Sequence, residues 1–187
     1  MCFVSMKIYR IAFVVALQLL AICAARIGNC ETQASAGGKA MKITSPAFQE
    51  GGNIPSKFTC DGANTNPALH IEQTPPNAKS LVLIVDDPDA PGGLFTHWLI
   101  WNIDPQTKEI AESSASPKAI QGTNNFPNVG YGGPCPPSGT HRYFFKIFAL
   151  DQMLDLKSGA KRAELERAMH GHVIAQGQLM GRYARSR

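Results

Sequence analysis

Leu81–Ile103 reads LVLIVDDPDAPGGLFTHWLIWNI, and this stretch contains two apolar runs separated by a polar loop. The runs, Leu81–Val85 and Trp98–Ile103, have the length of buried strands and are rich in β-branched or aromatic residues. The loop between them contains two prolines and two adjacent glycines, which exclude a helix and are typical of turns. The stretch therefore predicts two core strands joined by a loop, and we expect the rest of the chain to be organised around them.

Polar side chains lie where these predicted strands end or begin. Asp86, Asp87 and Asp89 follow the first strand, and His97 opens the second. Binding groups concentrate at such positions because a rigid scaffold holds them. The alternative is a solvated acidic loop in which the aspartates and prolines only shape the turn.

The composition indicates a globular, β-rich protein. Of the 187 residues 44% are hydrophobic and 17% charged, which is typical of a folded domain. The 13 prolines and 17 glycines require many turns, and these favour short strands over long helices. The net charge of +4 includes Lys7 and Arg10 near the N-terminus, so the remainder is too small to indicate a nucleic-acid partner.

The N-terminal segment has the pattern of a secretory signal peptide. Two basic residues precede an apolar run, Ile11–Ala25, which ends in small residues. We expect a signal peptide over residues 1–25 with cleavage between 25 and 37, and a disordered tether over 26–40. These features predict a periplasmic or secreted protein, and an uncleaved membrane anchor is the alternative.

Residues 41–184 are expected to form one mainly β domain. The pattern predicts further strands at Met41–Phe48, Ile54–Phe58, Ala68–Glu72, His141–Leu150 and Val173–Tyr183. Helix formers from Lys161 to His170, followed by Gly171, predict a short helix near the C-terminus. The expected fold is an antiparallel two-sheet β-sandwich with one or two short helices near the C-terminus.

A second irregular loop precedes another histidine. Residues 124–138 read NNFPNVGYGGPCPPS, which is too rich in proline and glycine for regular structure. The loop leads into the strand that His141 opens, as the Asp-rich loop leads to His97. If the two strands are neighbours, both imidazoles and one or two carboxylates meet at one end of the sheet.

Three motifs in order resemble the phosphatidylethanolamine-binding protein family, which includes the Raf kinase inhibitor protein. They are Asp87-Pro88-Asp89-Ala90-Pro91, His97-Trp98 within THWLIWN, and Gly133–Tyr143 (GPCPPSGTHRY). Their order and spacing agree with the family from Met41 to Tyr183, and the Cys60-Asp61-Gly62 motif resembles its bacterial branch.

The resemblance implies a small preformed anion pocket at one end of a β-sandwich. It places Asp87, His97 and His141 in the lining, Pro88 in the wall, and the Tyr143 hydroxyl within reach of the ligand. It also implies that the backbone N–H at Cys135 donates to the anion, although Cys135 stands where the family has glycine. A carboxylate beside several donors suits a zwitterion or a monoanion.

These features predict an exported binding module without catalytic activity or cofactor. Its expected ligand is a small phosphorylated or anionic group, such as a phospholipid headgroup, so membrane contact is expected only through the signal peptide or such a headgroup. The family also suggests a protein partner of the kinase or protease class, but export argues against a cytosolic kinase.

The alternative is a hydrolase that uses the same pocket, with zinc held by Asp, His and Cys or with Cys135 as nucleophile and His141 as base.

The resemblance also places the Cys60 loop near the pocket rim that Cys135 helps to form. Of the five cysteines, Cys2 and Cys23 lie in the expected signal peptide and Cys30 in the tether. We expect a disulfide between Cys60 and Cys135, because export leads to an oxidising compartment. Two free, partly buried thiols are the alternative.

Overall fold

The structure is a computed structural model, and it describes residues 39–185. The expected signal peptide (1–25) and most of the expected tether (26–40) lie outside the described residues. Across residues 39–185, no helix has both the length and the apolar character that crossing a membrane requires.

Two β-sheets pack face to face, which confirms the predicted mainly β, two-sheet architecture. The larger sheet has the order β1-β9-β8-β4-β5-β7, and the smaller one has the order β2-β3-β6. Neighbouring strands are antiparallel, except that β1 runs parallel to β9. The strands are β1 (Lys39–Ala40), β2 (Lys42–Thr44), β3 (Leu69–Glu72), β4 (Ser80–Asp87), β5 (Phe95–Ile103), β6 (Glu109–Ile110), β7 (Ile120–Gln121), β8 (Thr140–Leu150) and β9 (Val173–Ala184).

Strand β4 is the centre of the larger sheet and is buried along its whole length. One set of its side chains, including Leu83 and Val85, faces the smaller sheet in the main core. The alternate set, Val82 and Ile84, faces a second apolar cluster on the outer side. Burial on both faces explains why β4 is continuously apolar and does not alternate with polar residues.

One α-helix, α1 (Arg162–Met169), covers the outer face of the larger sheet. Its buried residues Leu165 and Met169 pack in the second apolar cluster. The Glu164 carboxylate accepts a hydrogen bond from the Lys161 backbone N–H at 2.8 Å, and Gly171 follows the helix with a φ of +80°. The predicted helix is therefore confirmed, and it ends where Gly171 predicted.

Three predicted boundaries differ from the structure. The first predicted strand, Met41–Phe48, shortens to β2 because the chain turns away at Ser45, whose hydroxyl donates to the Ala68 carbonyl. The predicted strand Ile54–Phe58 is wrong, since Ser56–Phe58 is a 3-10 helix: Pro55 has no N–H with which to continue a ladder. Lys39 and Ala40, assigned to the tether, instead form β1 beside β9.

Candidate functional site

Strand β4 ends in two adjacent carboxylates that serve different faces of the larger sheet. Asp86 turns to the outer face, where it forms ion pairs with Arg162 of α1 and with Lys146, whose Nζ is 3.0 Å from Oδ2. Asp87 turns to the inner face and is 3% exposed. Because side chains alternate along a strand, only one of the two can reach the predicted pocket, and that one is Asp87.

Asp87 orients His141, the second residue of β8. The Nδ1 atom of His141 lies 2.7 Å from Asp87 Oδ2, and both side chains are almost completely buried. The other carboxylate oxygen of Asp87 accepts the backbone N–H of Asp89 at 2.8 Å. With Nδ1 directed at a carboxylate, the Nε2 atom is the nitrogen of His141 left for a ligand.

His97 is oriented in the same way by a backbone carbonyl. Its Nδ1 lies 2.7 Å from the carbonyl oxygen of Gly132, which can only accept, so Nδ1 carries the proton. Burial lowers the pKa of His97, while the Gly132 carbonyl and the Asp87 carboxylate act against this shift. His97 is therefore neutral at pH 7 and presents Nε2 as an acceptor.

The two histidines meet at a narrow cavity of about 130 Å³, which we call the site cavity. Four of its lining residues come from the predicted set, and the others are mainly apolar. The lining consists of Asp87, Ala90, Pro91, Phe95, His97, Phe126, Cys135, Pro136, Pro137 and His141. Two imidazoles and a carboxylate in a mainly apolar cleft can orient a small ligand by hydrogen bonds while the cleft excludes most water.

The structure corrects the assignment of Pro88 to the cavity wall. Pro88 is exposed and is not part of the lining, because β4 ends at Asp87 and the chain turns outward there. The chain returns at Ala90 and Pro91, which form the wall instead.

Tyr143 lies behind the site cavity and not in its lining. Its side chain is completely buried, and its ring packs against the edge of His97 with 5.2 Å between ring centroids. No atom among residues 39–185 accepts a hydrogen bond from its hydroxyl. Burial, and then the Asp87 carboxylate, raise the pKa of this hydroxyl well above its usual range, so it remains a donor.

Cys135 belongs to a loop that is fastened to the Cys60 loop. A disulfide joins Cys60 to Cys135, with 5.4 Å between the Cα atoms. The Cys60 N–H donates to the Pro134 carbonyl at 3.1 Å, and the Gly133 N–H donates to Asn64 Oδ1 at 2.8 Å. Within the described part of the chain, the Cys135 N–H has no hydrogen-bond acceptor. Cys135 is itself a lining residue, so the disulfide and these hydrogen bonds fix one side of the site cavity.

Several lining residues were not predicted from the sequence. Phe95 could have been found, because it lies two residues before His97 on the same strand and so on the same face. Phe126 gave no such signal, since an irregular loop has no periodicity. Phe95, Phe126 and His97 form an aromatic cluster with centroid separations of 4.8–5.5 Å.

The zinc-dependent hydrolase alternative requires several metal-binding side chains close together. Over residues 39–185, no three His, Cys, Asp or Glu side chains are grouped closely enough to hold a metal ion.

Comparisons with known proteins agree on one family. The family model for phosphatidylethanolamine-binding protein matches residues 44–184. A UPF0098 protein from Archaeoglobus fulgidus is 49% identical over 80% of this chain, although the match spans 53% of that protein. A UPF0098 protein from Pyrococcus abyssi is 51% identical over 80% of this chain and 88% of its own length.

Solved structures give the same result. A protein from Chlamydia trachomatis, described as a homolog of phosphatidylethanolamine-binding protein, has a TM-score of 0.76 and 43% identity over 79% of this chain and 99% of that one. YbcL of E. coli, described as a member of the mammalian family, has a TM-score of 0.73 and 28% identity over 78% of this chain and 99% of its own. This chain therefore belongs to the phosphatidylethanolamine-binding protein family.

Proposed function

We propose that this protein binds a small anionic group, such as a phosphate or the phosphate of a lipid headgroup, in the site cavity. The observation that carries the proposal is the orientation of the two histidines. Each has its Nδ1 committed to a protein acceptor, which leaves both Nε2 atoms for a ligand in the same cleft. Such fixed second partners are typical of imidazoles that bind ligands.

The donors around the cavity suit a partly protonated anion. His141 has its Nδ1 held by Asp87 and directs Nε2 at the ligand, whereas neutral His97 accepts a hydrogen bond from a P–OH or ammonium group. The backbone N–H of Cys135 supplies a further donor. A hydrogen phosphate or a monoester with one protonated oxygen matches this combination.

Histidine variants test the proposal by NMR titration with inorganic phosphate. His97→Ala and His141→Ala should each weaken binding by about 1.5–3 kcal/mol, the scale of a hydrogen bond to a charged group. His70→Ala is the matched control, because His70 is exposed on the smaller sheet and remote from the cavity. Unchanged affinity in both site variants, or chemical shifts centred away from the cavity, would refute the assignment.

We further propose binding without hydrolysis. The cysteine-dependent form of the hydrolase alternative needs a free thiolate at Cys135, and the bond of its sulfur to Cys60 supports the binding function instead. Steady turnover of phosphoesters or acyl esters by the purified protein, abolished in His141→Ala, would overturn this proposal.

Export of the protein is also a proposal. It is supported by the basic residues and apolar run of the N-terminal sequence, and by a disulfide of the kind that persists in oxidising compartments. Cell fractionation and an intact-mass measurement of the mature chain test it, with cleavage expected between residues 25 and 37.

A further inference from the structure

Strand β5 contains a β-bulge at His97. Val85 of β4 lies opposite Trp98 of β5. The next residue, Asp86, lies opposite Thr96, so one step along β4 matches two steps along β5 and His97 is the extra residue. Trp98 packs in the main core on the inner face, so strict alternation would direct His97 to the outer face. Because of the bulge, His97 lies on the inner face and lines the site cavity.

Arg162 links the two strands beside this bulge. Its Nη1 atom donates to Asp86 Oδ1 and, at 3.2 Å, to Thr96 Oγ1. Asp86 and Thr96 are the cross-strand pair that adjoins the bulge, and they are only 0% and 1% exposed. This link therefore lies on the outer face, on the opposite side of β5 from the His97 ring.

Helix α1 fixes the position of this arginine. Arg162 is the first residue of α1, and its Nε donates to Glu166 Oε1 at 2.8 Å, one turn along the helix. Leu165 and Met169 hold the same helix in the second apolar cluster. The guanidinium is therefore presented to the two strands by an element whose own packing lies outside the site cavity.

The loop before β8 holds the bulge from another direction. The Asn125 N–H donates to the Thr96 carbonyl at 2.9 Å. The Gly132 N–H donates to the His97 carbonyl, also at 2.9 Å. These bonds hold β5 to the loop, whereas Arg162 holds β5 to β4 and to α1.

A regular strand is the arrangement that competes with the bulge. Without the bulge, His97 would turn outward and Thr96 inward, because a shift of one residue exchanges the two faces. The Thr96 hydroxyl would then point away from Arg162 and lose its hydrogen bond. The bond between Arg162 and Thr96 therefore favours the arrangement in which His97 points into the site cavity.

We propose that Arg162 is a positioning residue for the anion site, because it holds the bulge that directs His97 into the site cavity. This inference rests on the proposed function, since it concerns the same site. It makes ligand affinity depend on the docking of α1 against the outer face. The cavity lining, which is drawn from residues 87–141, includes no residue of α1.

A double-mutant cycle with inorganic phosphate as the ligand tests the proposal. Arg162→Met should weaken phosphate binding roughly tenfold, the scale of one hydrogen bond to a charged group. In the His97→Ala background the same change should leave the affinity unaltered, because a residue that acts through His97 has no effect once the imidazole is absent. Equal losses in the two backgrounds, or no loss in the otherwise native protein, would refute the positioning role.

The ring nitrogens of His97 provide a second readout, which needs no ligand. Their ¹⁵N chemical shifts should report a protonated Nδ1 in the native protein, and Arg162→Met should change them. Thr96→Val removes only the bond to the hydroxyl and should change the shifts in the same direction, so it decides the question if Arg162→Met does not fold.

Lys146→Met is the matched control for the loss of a cation beside Asp86. Lys146 donates to the other oxygen of that carboxylate at 3.0 Å, and within residues 39–185 it has no hydrogen bond to Thr96. Its loss should leave the His97 signals unchanged. Unchanged signals in both Arg162→Met and Thr96→Val, or an equal change in Lys146→Met, would refute the proposal. If the native protein binds no phosphate while the His97 signals respond as expected, the proposed function fails but Arg162 still positions His97.

Discussion

At the scale of single residues, Tyr143 combines complete burial with a hydroxyl that has no partner among residues 39–185. An unsatisfied buried polar group destabilises the folded state. We predict that Tyr143→Phe will raise the free energy of unfolding by up to about 1 kcal/mol. Urea denaturation measures this effect.

Tyr131→Phe is the matched control. The Tyr131 hydroxyl donates to the Phe58 carbonyl at 2.8 Å, so its removal should lower the free energy of unfolding by about 1 kcal/mol. An equal loss of stability in the two variants would show that Tyr143 has a partner and contradict this interpretation.

The positions of site residues within strands were predicted better than those in loops. Asp87, His97 and His141 each lie at the end of a strongly apolar run. Alternation along β4 and β8 directs Asp87 and His141 to the inner face, whereas His97 reaches that face through a bulge in the pairing of β4 with β5, which the sequence pattern does not contain. Pro88 was assigned wrongly because it lies one residue beyond β4, where alternation no longer applies. The direction of a loop side chain depends on tertiary contacts that the local pattern does not contain.

At the scale of elements, the disulfide joins the two loops that frame one side of the site cavity. Cys60 and Cys135 are 75 residues apart, and closing a loop of this size is worth about 4 kcal/mol in the chain-entropy model. We predict that a reductant will lower both the melting temperature and the phosphate affinity, since Cys135 also lines the site cavity. The double variant Cys60→Ser/Cys135→Ser should resemble the reduced protein and be insensitive to reductant.

A melting temperature that is the same with and without reductant, under conditions where a thiol assay shows full reduction, would contradict this prediction.

The sequence predicted β4, β5, β8, β9 and α1 because these elements have clear apolar periodicity. It did not predict β6 and β7, which have two residues each and depend on the strands beside them. It also predicted a strand at Ile54–Phe58, since the apolar residues there gave a stronger signal than Pro55.

At the scale of the whole molecule, we predict that stability falls with acid partly because of His97. Burial lowers its pKa in the folded state below the value of about 6.5 expected in the unfolded chain. The unfolded state therefore binds more protons, so this contribution to stability is complete above about pH 6.5. It is lost as the pH falls from there toward the folded pKa.

The check is urea denaturation of the native protein and of His97→Gln between pH 8 and pH 5. The variant should lose less stability over this range than the native protein, because the titrating group is gone. His70→Ala, which removes an exposed histidine, serves as the control. Parallel pH profiles for the native protein and His97→Gln would contradict the assignment of the effect to His97.

The parallel pairing of β1 with β9 has a practical consequence for attaching the protein to a surface. Lys39 pairs with Ala175, whereas Tyr183 pairs with His141 at the ligand end of the sheet. The eight residue steps from Ala175 to Tyr183 span about 26 Å of strand, so the point where β1 begins is remote from the pocket. Ala184, the last residue of β9, pairs with Thr140, which directly precedes His141. A biosensor chip or fluorophore joined ahead of Lys39 therefore leaves the pocket open to solution, whereas one joined after Ala184 crowds its mouth.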